Sequence, residues 1–419
     1  MWITPKSQDM QHSPNQTHYI AHNNRNSGFL EKKKDCFASK NPSASSSANT
    51  TTHAMPLDVP QVVAPTLPTI HRAAIVSSPP SQDYLIKFIA GRRQHIKEIT
   101  RLVDNAEYEI LIACWKLQHI PRSLLSSLMK AKNKGIKLNF FVSEVENETA
   151  ANYFEETQDE TDDSEDEINS FTTYVTKTHA KFVLVDNKKG IFGSFNAFDS
   201  RRNDDSDSSF KISGTINQMW PFSIGLYHAY KSIGDGCEKG FGGIVAISAE
   251  KNQKKLGPVC RTIRDGSRLW FLTNLQEHED FFRKVCVPHG DYKQVHIFSP
   301  FIYEDNARSR LKELNDKLPK STKLYLHTRP EFKEKLESIV NASDSLREKT
   351  TIRVGDFHDK LMIIDRETLC VGSLNWMSFT RVPESSHNNI EVSIVLQGPL
   401  AQSTIEHSKG IKKLMMFSS

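Results

Sequence analysis

Two segments of the 419-residue chain repeat one set of reactive side chains at one spacing. The first reads His179-Ala-Lys181-Phe-Val-Leu-Val-Asp186, then Gly193-Ser194-Phe195-Asn196. The second reads His358-Asp-Lys360-Leu-Met-Ile-Ile-Asp365, then Gly372-Ser373-Leu374-Asn375. Alternate residues of an extended strand share a face, so His and Lys of each copy point the same way. The apolar runs Phe182 to Val185 and Leu361 to Ile364 then carry the chain through a core, and a turn brings back a strand with Ser and Asn on one face. Each copy therefore projects an imidazole, an ammonium, a hydroxyl and an amide. A phosphodiester is anionic, and Lys and Asn can donate to the oxygens on which charge builds in the transition state. One imidazole can attack phosphorus while the other protonates the leaving alcohol. Chemistry of this kind requires no metal and no cofactor.

The paired segments resemble the twin HxKxxxxD–GSxN signatures of the phospholipase D superfamily, over roughly residues 84–400. The resemblance implies a bilobal α/β fold, with both motifs meeting in one site at the lobe interface, and a phosphohistidine intermediate. His179 would be the nucleophile and His358 the acid, with Lys181, Lys360, Asn196 and Asn375 holding the phosphate. Asp186 and Asp365 would support the base of each motif. Both copies keep this Asp, unlike tyrosyl-DNA phosphodiesterases, which have Asn there. Family members place a carboxylate downstream to orient the histidine. The second copy offers Glu391 in Asn388-Asn389-Ile390-Glu391, whereas the first has only Asp207 near the matching place. Should Asp207 fail to reach His179, the two histidines would differ in basicity and the roles of nucleophile and acid could reverse. Asn196 to Arg201 loosely resembles cardiolipin-synthase wording, and Asn375-Trp376 resembles both lipases and bacterial nucleases, so neither decides the substrate.

The elements that must position these residues alternate between helix and strand. Ile86 to Leu102 has helical spacing, Glu109 to Trp115 suits a buried strand, Arg122 to Asn133 a helix ended by Gly135, and Lys137 to Val142 the next strand. The order returns at Val295 to Phe298, Asn306 to Lys317 and Lys323 to His327. Local wording recurs 186 residues later, Arg122-Ser123-Leu124-Leu125 against Arg308-Ser309-Arg310-Leu311 and Lys137-Leu138 against Lys323-Leu324. The expected fold is α/β, two duplicated mixed-sheet lobes with flanking helices, spanning 81–235 and 236–419. Residues 1–80 are rich in Ser, Thr, Asn and Pro and are expected to form a disordered tail.

Composition removes several classes. There is no run of ~18 apolar residues for a membrane span, and Met1 to Lys6 lacks the start of a secretory signal. Six scattered cysteines without CxxC spacing argue against a disulfide scaffold and for a reducing compartment. The expected location is the cytoplasm, or outside the cell by a route without a signal peptide. The expected state is a monomer. Its partners would be a phospholipid or other phosphodiester substrate, with peripheral membrane contact, or nucleic acid if the enzyme is instead a nuclease of the same superfamily. A silent phosphate-binding module is disfavoured by intact motifs in both copies. Gly234 to Gly243 reads as a flexible loop, Glu277 to Asp280 as solvated surface, and Cys286 and His289 as structural. Gly410 to Phe417 reads as a packed or frayed terminus.

One charged segment stands apart. Residues 144–167 hold 12 acids and no Lys or Arg, just upstream of His179. Beyond residue 80 there are 47 basic and 46 acidic residues. Setting the segment aside leaves 34 acids and a net +13. Such a loop could cover a basic mouth or repel polyanions, within the ~10 Å over which salt leaves surface charges unscreened. Replacing the acids of Asp159 to Glu167 with Asn and Gln is expected to raise binding to anionic vesicles or DNA, most at low salt. Equal low-salt affinity of the two proteins would show the segment to be merely a solvated insertion.

Overall fold

A computed structural model describes residues 84–145, 171–198, 206–251, 259–263, 265–285, 292–378 and 389–416. The tail, nearly all of the acidic segment, and Cys286 and His289 lie outside the described residues.

The first lobe runs β1 (Leu85–Ala90), α1 (Arg92–Asp104), β2 (Glu109–Leu117), α2 (Arg122–Asn133), β3 (Lys137–Val145), β4 (Phe171–Val175), β5 (Phe182–Val185), β6 (Lys189–Gly193) and β7 (Ser208–Ser213). The helix α3 (Ile216–Lys231), a short 3-10 turn (Cys237–Phe241) and α4 (Gly242–Lys251) lead onward. The second lobe runs β8 (Val259–Thr262), β9 (Arg268–Leu272), α5 (Leu275–Val285), β10 (Gln294–Phe298), α6 (Glu304–Lys317), β11 (Lys323–Thr328), α7 (Lys333–Asn341), α8 (Asp344–Lys349), β12 (Thr350–Val354), β13 (Leu361–Ile364), β14 (Thr368–Gly372), β15 (Ser393–Gln397), α9 (Pro399–His407) and α10 (Lys409–Met415).

The duplication is plain in the strand order. One sheet is β1-β7-β6-β5-β2-β3-β4, and the other, read from its far edge, is β8-β9-β15-β14-β13-β10-β11-β12. Every first-lobe strand has a counterpart, and β8 is the addition. Both sheets are mixed, parallel through β2-β3-β4 and β10-β11-β12 and antiparallel across the motif strands.

Alternation along the strands divides the core into layers. Ile110 and Ile112 face outward beneath α1 and α2, packing on Ile99, Leu102, Leu124 and Leu128. Val295 and Ile297 do the same in the second lobe beneath α5 and α6. The inward residues Leu111, Ala113, Phe182 and Leu184 join Leu361, Ile363, Leu369 and Val371 in one cluster that spans both lobes.

Three sequence expectations are corrected. Ile86 to Ala90 is not helical; it is an edge strand antiparallel to β7, and the helix begins only after Gly91. Gly234 to Gly243 is not a loose loop, because it contains the 3-10 turn with buried Cys237 and Phe241. Glu277, His278 and Glu279 are buried, each with a partner: Glu277 accepts from the Thr273 N–H at 2.7 Å, His278 contacts Ser393, and Glu279 pairs with Arg310. The terminus is packed, with Ile411 and Leu414 buried. Among the described residues no helix is long and apolar enough to cross a membrane.

The signature glycines follow from strand contact. A Cβ on Gly193 would overlap Ser208 O and Ser209 Oγ, and one on Gly372 would overlap Ser393. Gly372→Ala is therefore expected to destabilise the protein by about 1–3 kcal/mol, the usual cost of overpacking. A lowered urea midpoint at unchanged m-value is the check, and an unchanged midpoint would contradict the close approach.

Candidate active site

Strand geometry brings both motifs to the lobe interface. His179 lies on the stretch between β4 and β5, where Thr178 bridges Ile390 of the other lobe. The His179 N–H donates to Ile390 O at 2.9 Å, and the Ile390 N–H donates to Lys177 O at 3.0 Å. The His358 N–H donates to Ser206 Oγ of the first lobe at 2.8 Å. Each histidine's backbone is thus tied to the opposite lobe.

The side chains cross in the same way. His179 Nδ1 lies 2.8 Å from Glu391 Oε1, and His358 Nδ1 lies 3.0 Å from Asp207 Oδ1. The sequence had assigned each carboxylate to the histidine of its own copy; the structure exchanges them. Spacing along the chain could not show this, because the partner is reached across the interface. Each carboxylate is in turn held by the serine of its own lobe: Ser194 Oγ donates to Asp207 Oδ1 at 2.7 Å, and Ser373 Oγ donates to Glu391. A carboxylate only accepts, so Nδ1 of each imidazole carries the proton and Nε2 is left for other partners.

Lys181 Nζ donates to His179 O at 2.8 Å, and Lys360 Nζ donates to His358 O at 3.0 Å. Lys360 Nζ also lies 3.2 Å from His358 Nε2. Asn196 and Asn375 are half-buried, and each has a buried side-chain oxygen without a partner. Asp186 and Asp365 stand elsewhere, at the far ends of β5 and β13, ~16 Å along the strand from the lysines. Asp186 accepts from the N–H groups of Glu107, Tyr108 and Glu109 at 2.8–3.0 Å, and Asp365 accepts from Lys293 and Gln294 at 2.8 Å. Both sit at positive φ in the turn between the motif strands.

Burial and charge tune the cluster. The His179 and His358 side chains are 15% and 8% exposed. Burial lowers the pKa of His179 against the opposing pull of Glu391. Burial and Lys360 bring His358 down to about 4. Burial and Lys181 bring Lys360 down to about 7. Burial would push Asp207 up, but His358, Lys360 and Ser194 together hold it at about 2. A buried cluster that depresses the pKa of its own cationic groups is a receptive place for an anion.

Two rings that the sequence reading passed over flank the site. Trp115 stands edge-on to His179 with ring centroids 5.9 Å apart, and Phe301 stands edge-on to His358 at 6.0 Å. They are separated by the same 186 residues that relate the helices and strands, and that offset was the available signal.

Residues 99–217 match the family described as cardiolipin synthase, PLD-like domain. No curated protein matches the chain. Among solved structures, phosphatidylserine synthase from Haemophilus influenzae Rd KW20 shares the fold at 13% identity and TM-score 0.54, over 80% of this chain and 89% of that one. Polyphosphate kinase from Porphyromonas gingivalis aligns over 77% of this chain and 49% of its own at 11% identity, TM-score 0.47. Nuc, a phospholipase D family member from Salmonella typhimurium, aligns over 33% of this chain and 90% of its own at 17% identity, TM-score 0.27. The last two scores are too low to carry an argument.

One residue within the second motif has no role in this constellation. Asp359, where the first copy has Ala180, is fully buried, and among the described residues neither carboxyl oxygen has a hydrogen-bond partner in good geometry. Burial and the neighbouring Asp207 hold its pKa well above the carboxylate range. A raised folded pKa means the native state holds a proton that the unfolded chain releases, so stability falls as pH rises above the unfolded value. Asp359→Ala is expected to stabilise the protein by about 1–3 kcal/mol at neutral pH. The gain should shrink as pH falls toward ~4, the unfolded pKa. Thermal melts of both proteins across that range are the check, and a less stable variant at neutral pH would refute it.

Proposed function

We propose that this chain, of which residues 99–217 match a PLD-like domain, is a metal-independent phosphodiesterase that cleaves or transfers phospholipid head groups through a phosphohistidine. The observation that carries the reading is the pair of imidazoles, each with Nδ1 committed to a carboxylate and Nε2 left for chemistry, beside two buried lysines. The lipid class is supported by the matched family's description and by the name of the phosphatidylserine synthase that shares the fold.

The reaction runs in two displacements. The lone pair of His179 Nε2 attacks phosphorus while the bond to the leaving oxygen breaks, and that oxygen takes a proton from Nε2 of His358, which acts as the imidazolium that the negative charge of the bound substrate favours. Lys181, Lys360, Asn196 and Asn375 donate to the non-bridging oxygens as charge gathers there. In the second step His358 Nε2 removes the proton of water or an acceptor alcohol. The new oxygen bonds to phosphorus, and the electron pair of the P–N bond returns to His179. Glu391 and Asp207 hold the two rings and stabilise each imidazolium as it forms. Trp115 and Phe301 stand edge-on beside His179 and His358, one ring to each imidazole.

His179→Ala and His358→Ala are each expected to lower turnover by about a thousandfold or more. The assay is release of head group from phosphatidylcholine vesicles in EDTA, with plasmid DNA in parallel. Denaturation during turnover without acid should leave the phosphatidyl group on His179. Strict dependence on a divalent ion would sink the scheme, as would an unimpaired His358→Ala protein. Cleavage of plasmid and not lipid would move the substrate to nucleic acid.

A further inference from the structure

Two buried histidines outside the catalytic pair occupy equivalent places in the lobes. His95 lies on α1 and His278 on α5, and both are fully enclosed. Nδ1 of each is 2.8 Å from the carbonyl oxygen four residues earlier, Gly91 O and Asn274 O. A carbonyl only accepts, so Nδ1 carries the proton, and Nε2 is the acceptor for a serine hydroxyl at 2.9 Å: Ser209 for His95 and Ser393 for His278. Ser209 follows Asp207 by two residues, and Ser393 follows Glu391 by two. These hydroxyls fill the space beside Gly193 and Gly372. The Gly91 N–H also donates to Asp207 O at 3.0 Å.

A buried imidazole with two satisfied nitrogens gives up the packing energy of a leucine in exchange for two directed bonds. Here the exchange occurs twice, at the start of the strand that follows each catalytic carboxylate, outside the signature motifs. Phe195 of the first signature stacks on His95 at 4.4 Å, and Trp376, next to Asn375, lies 6.0 Å from His278.

We propose that His95 and His278 are positioning residues that aim the catalytic carboxylates through Ser209 and Ser393, each setting the basicity of the catalytic histidine in the opposite lobe. His95 acts through Asp207 on His358, and His278 acts through Glu391 on His179. The kinetic part of this assignment rests on the phosphohistidine reading above. The charged groups acting on His95 include Asp207; those on His278 are Glu391, Arg310 and Glu279. Those on His358 are Lys360, Asp207 and Lys181, and those on His179 are Glu391, Lys181 and Lys360.

The test uses the full chain with His95→Leu, His278→Leu, the hydroxyl deletions Ser209→Ala and Ser393→Ala, and the rescues His95→Gln and His278→Gln, which keep an acceptor for the serine. NMR titration of the imidazole Cε1–H signals needs no substrate. A carboxylate raises the pKa of its imidazole, so loosening it lowers that pKa. His95→Leu and Ser209→Ala should lower the pKa of His358 and leave His179 in place. The second-lobe variants should do the reverse, and glutamine should restore most of each shift. On vesicles, kcat should fall by about 10- to 100-fold with KM within about twofold, as expected for a misaimed group. Unmoved titrations of both catalytic histidines in folded Ser209→Ala and Ser393→Ala proteins would overturn the proposal and leave His95 and His278 as core packing. Shifted titrations in a protein inactive on lipid would uphold the positioning and reject the proposed reaction.

Discussion

The structure depends on one exchange: the imidazole of each lobe is held by the carboxylate of the other. A single lobe would carry a histidine without its acid and an acid without its histidine. Leaving a buried hydrogen-bonding group without its partner costs about 1–3 kcal/mol, and more for a charged one. The crossed pairs His179–Glu391 and His358–Asp207 therefore bind the lobes together as they build the site. The shared apolar cluster beneath them brings the two sheets face to face. The backbone bonds at Ile390 and the bond from the His358 N–H to the Ser206 hydroxyl fix the register of that contact at the two histidines. Docking, core and site are consequences of one arrangement.

Charge in the site is deliberately unbalanced. Two lysines and two imidazoles converge, and among the described residues Asp207 and Glu391 answer them, while burial and Asp207 raise the pKa of Asp359 well above the carboxylate range. Burial first, and then the neighbouring cations, push Lys360 down to about 7 and His358 down to about 4. A bound anion would bring the missing charge. On its arrival Lys360 can turn from His358 Nε2 to the anion, leaving that nitrogen free to take up a proton. Binding and activation of the acid would then be one event.

Much of this was legible before any coordinates. The paired motifs, the mixed sheets and the duplication follow from period-two patterning and a constant offset, both of which are local properties of the chain. What escaped was of two kinds. The exchange of Asp207 and Glu391 is a relation across an interface, and sequence spacing measures distance only along one strand. The polar run at Glu277 to Asp280 reads as surface because four polar residues in a row usually are; only tertiary partners such as Arg310 and Ser393 make its burial tolerable. At Ile86 to Ala90 the apolar residues fit both a strand and the first turn of the helix that follows. Pairing with β7 decided the outcome.

The two halves of the site are not equivalent, and the difference argues for the roles assigned to them. Glu391 divides its work: Oε1 faces His179 while Oε2 takes the Ser373 hydroxyl. Asp207, one methylene shorter, uses the same Oδ1 for both His358 and Ser194. His179 thus has a carboxylate oxygen to itself at 2.8 Å, which pulls on its Nδ1 proton more strongly and enriches Nε2. His358 shares its oxygen at 3.0 Å, and its Nε2 is already approached by Lys360 at 3.2 Å. An imidazole with an undivided acceptor behind it suits attack on phosphorus. One whose Nε2 is already engaged by an ammonium is the less free to attack. The substitution of Asp for Glu in the first copy, which the sequence showed only as a departure, is thus a physical basis for taking His179 as the nucleophile and His358 as the acid.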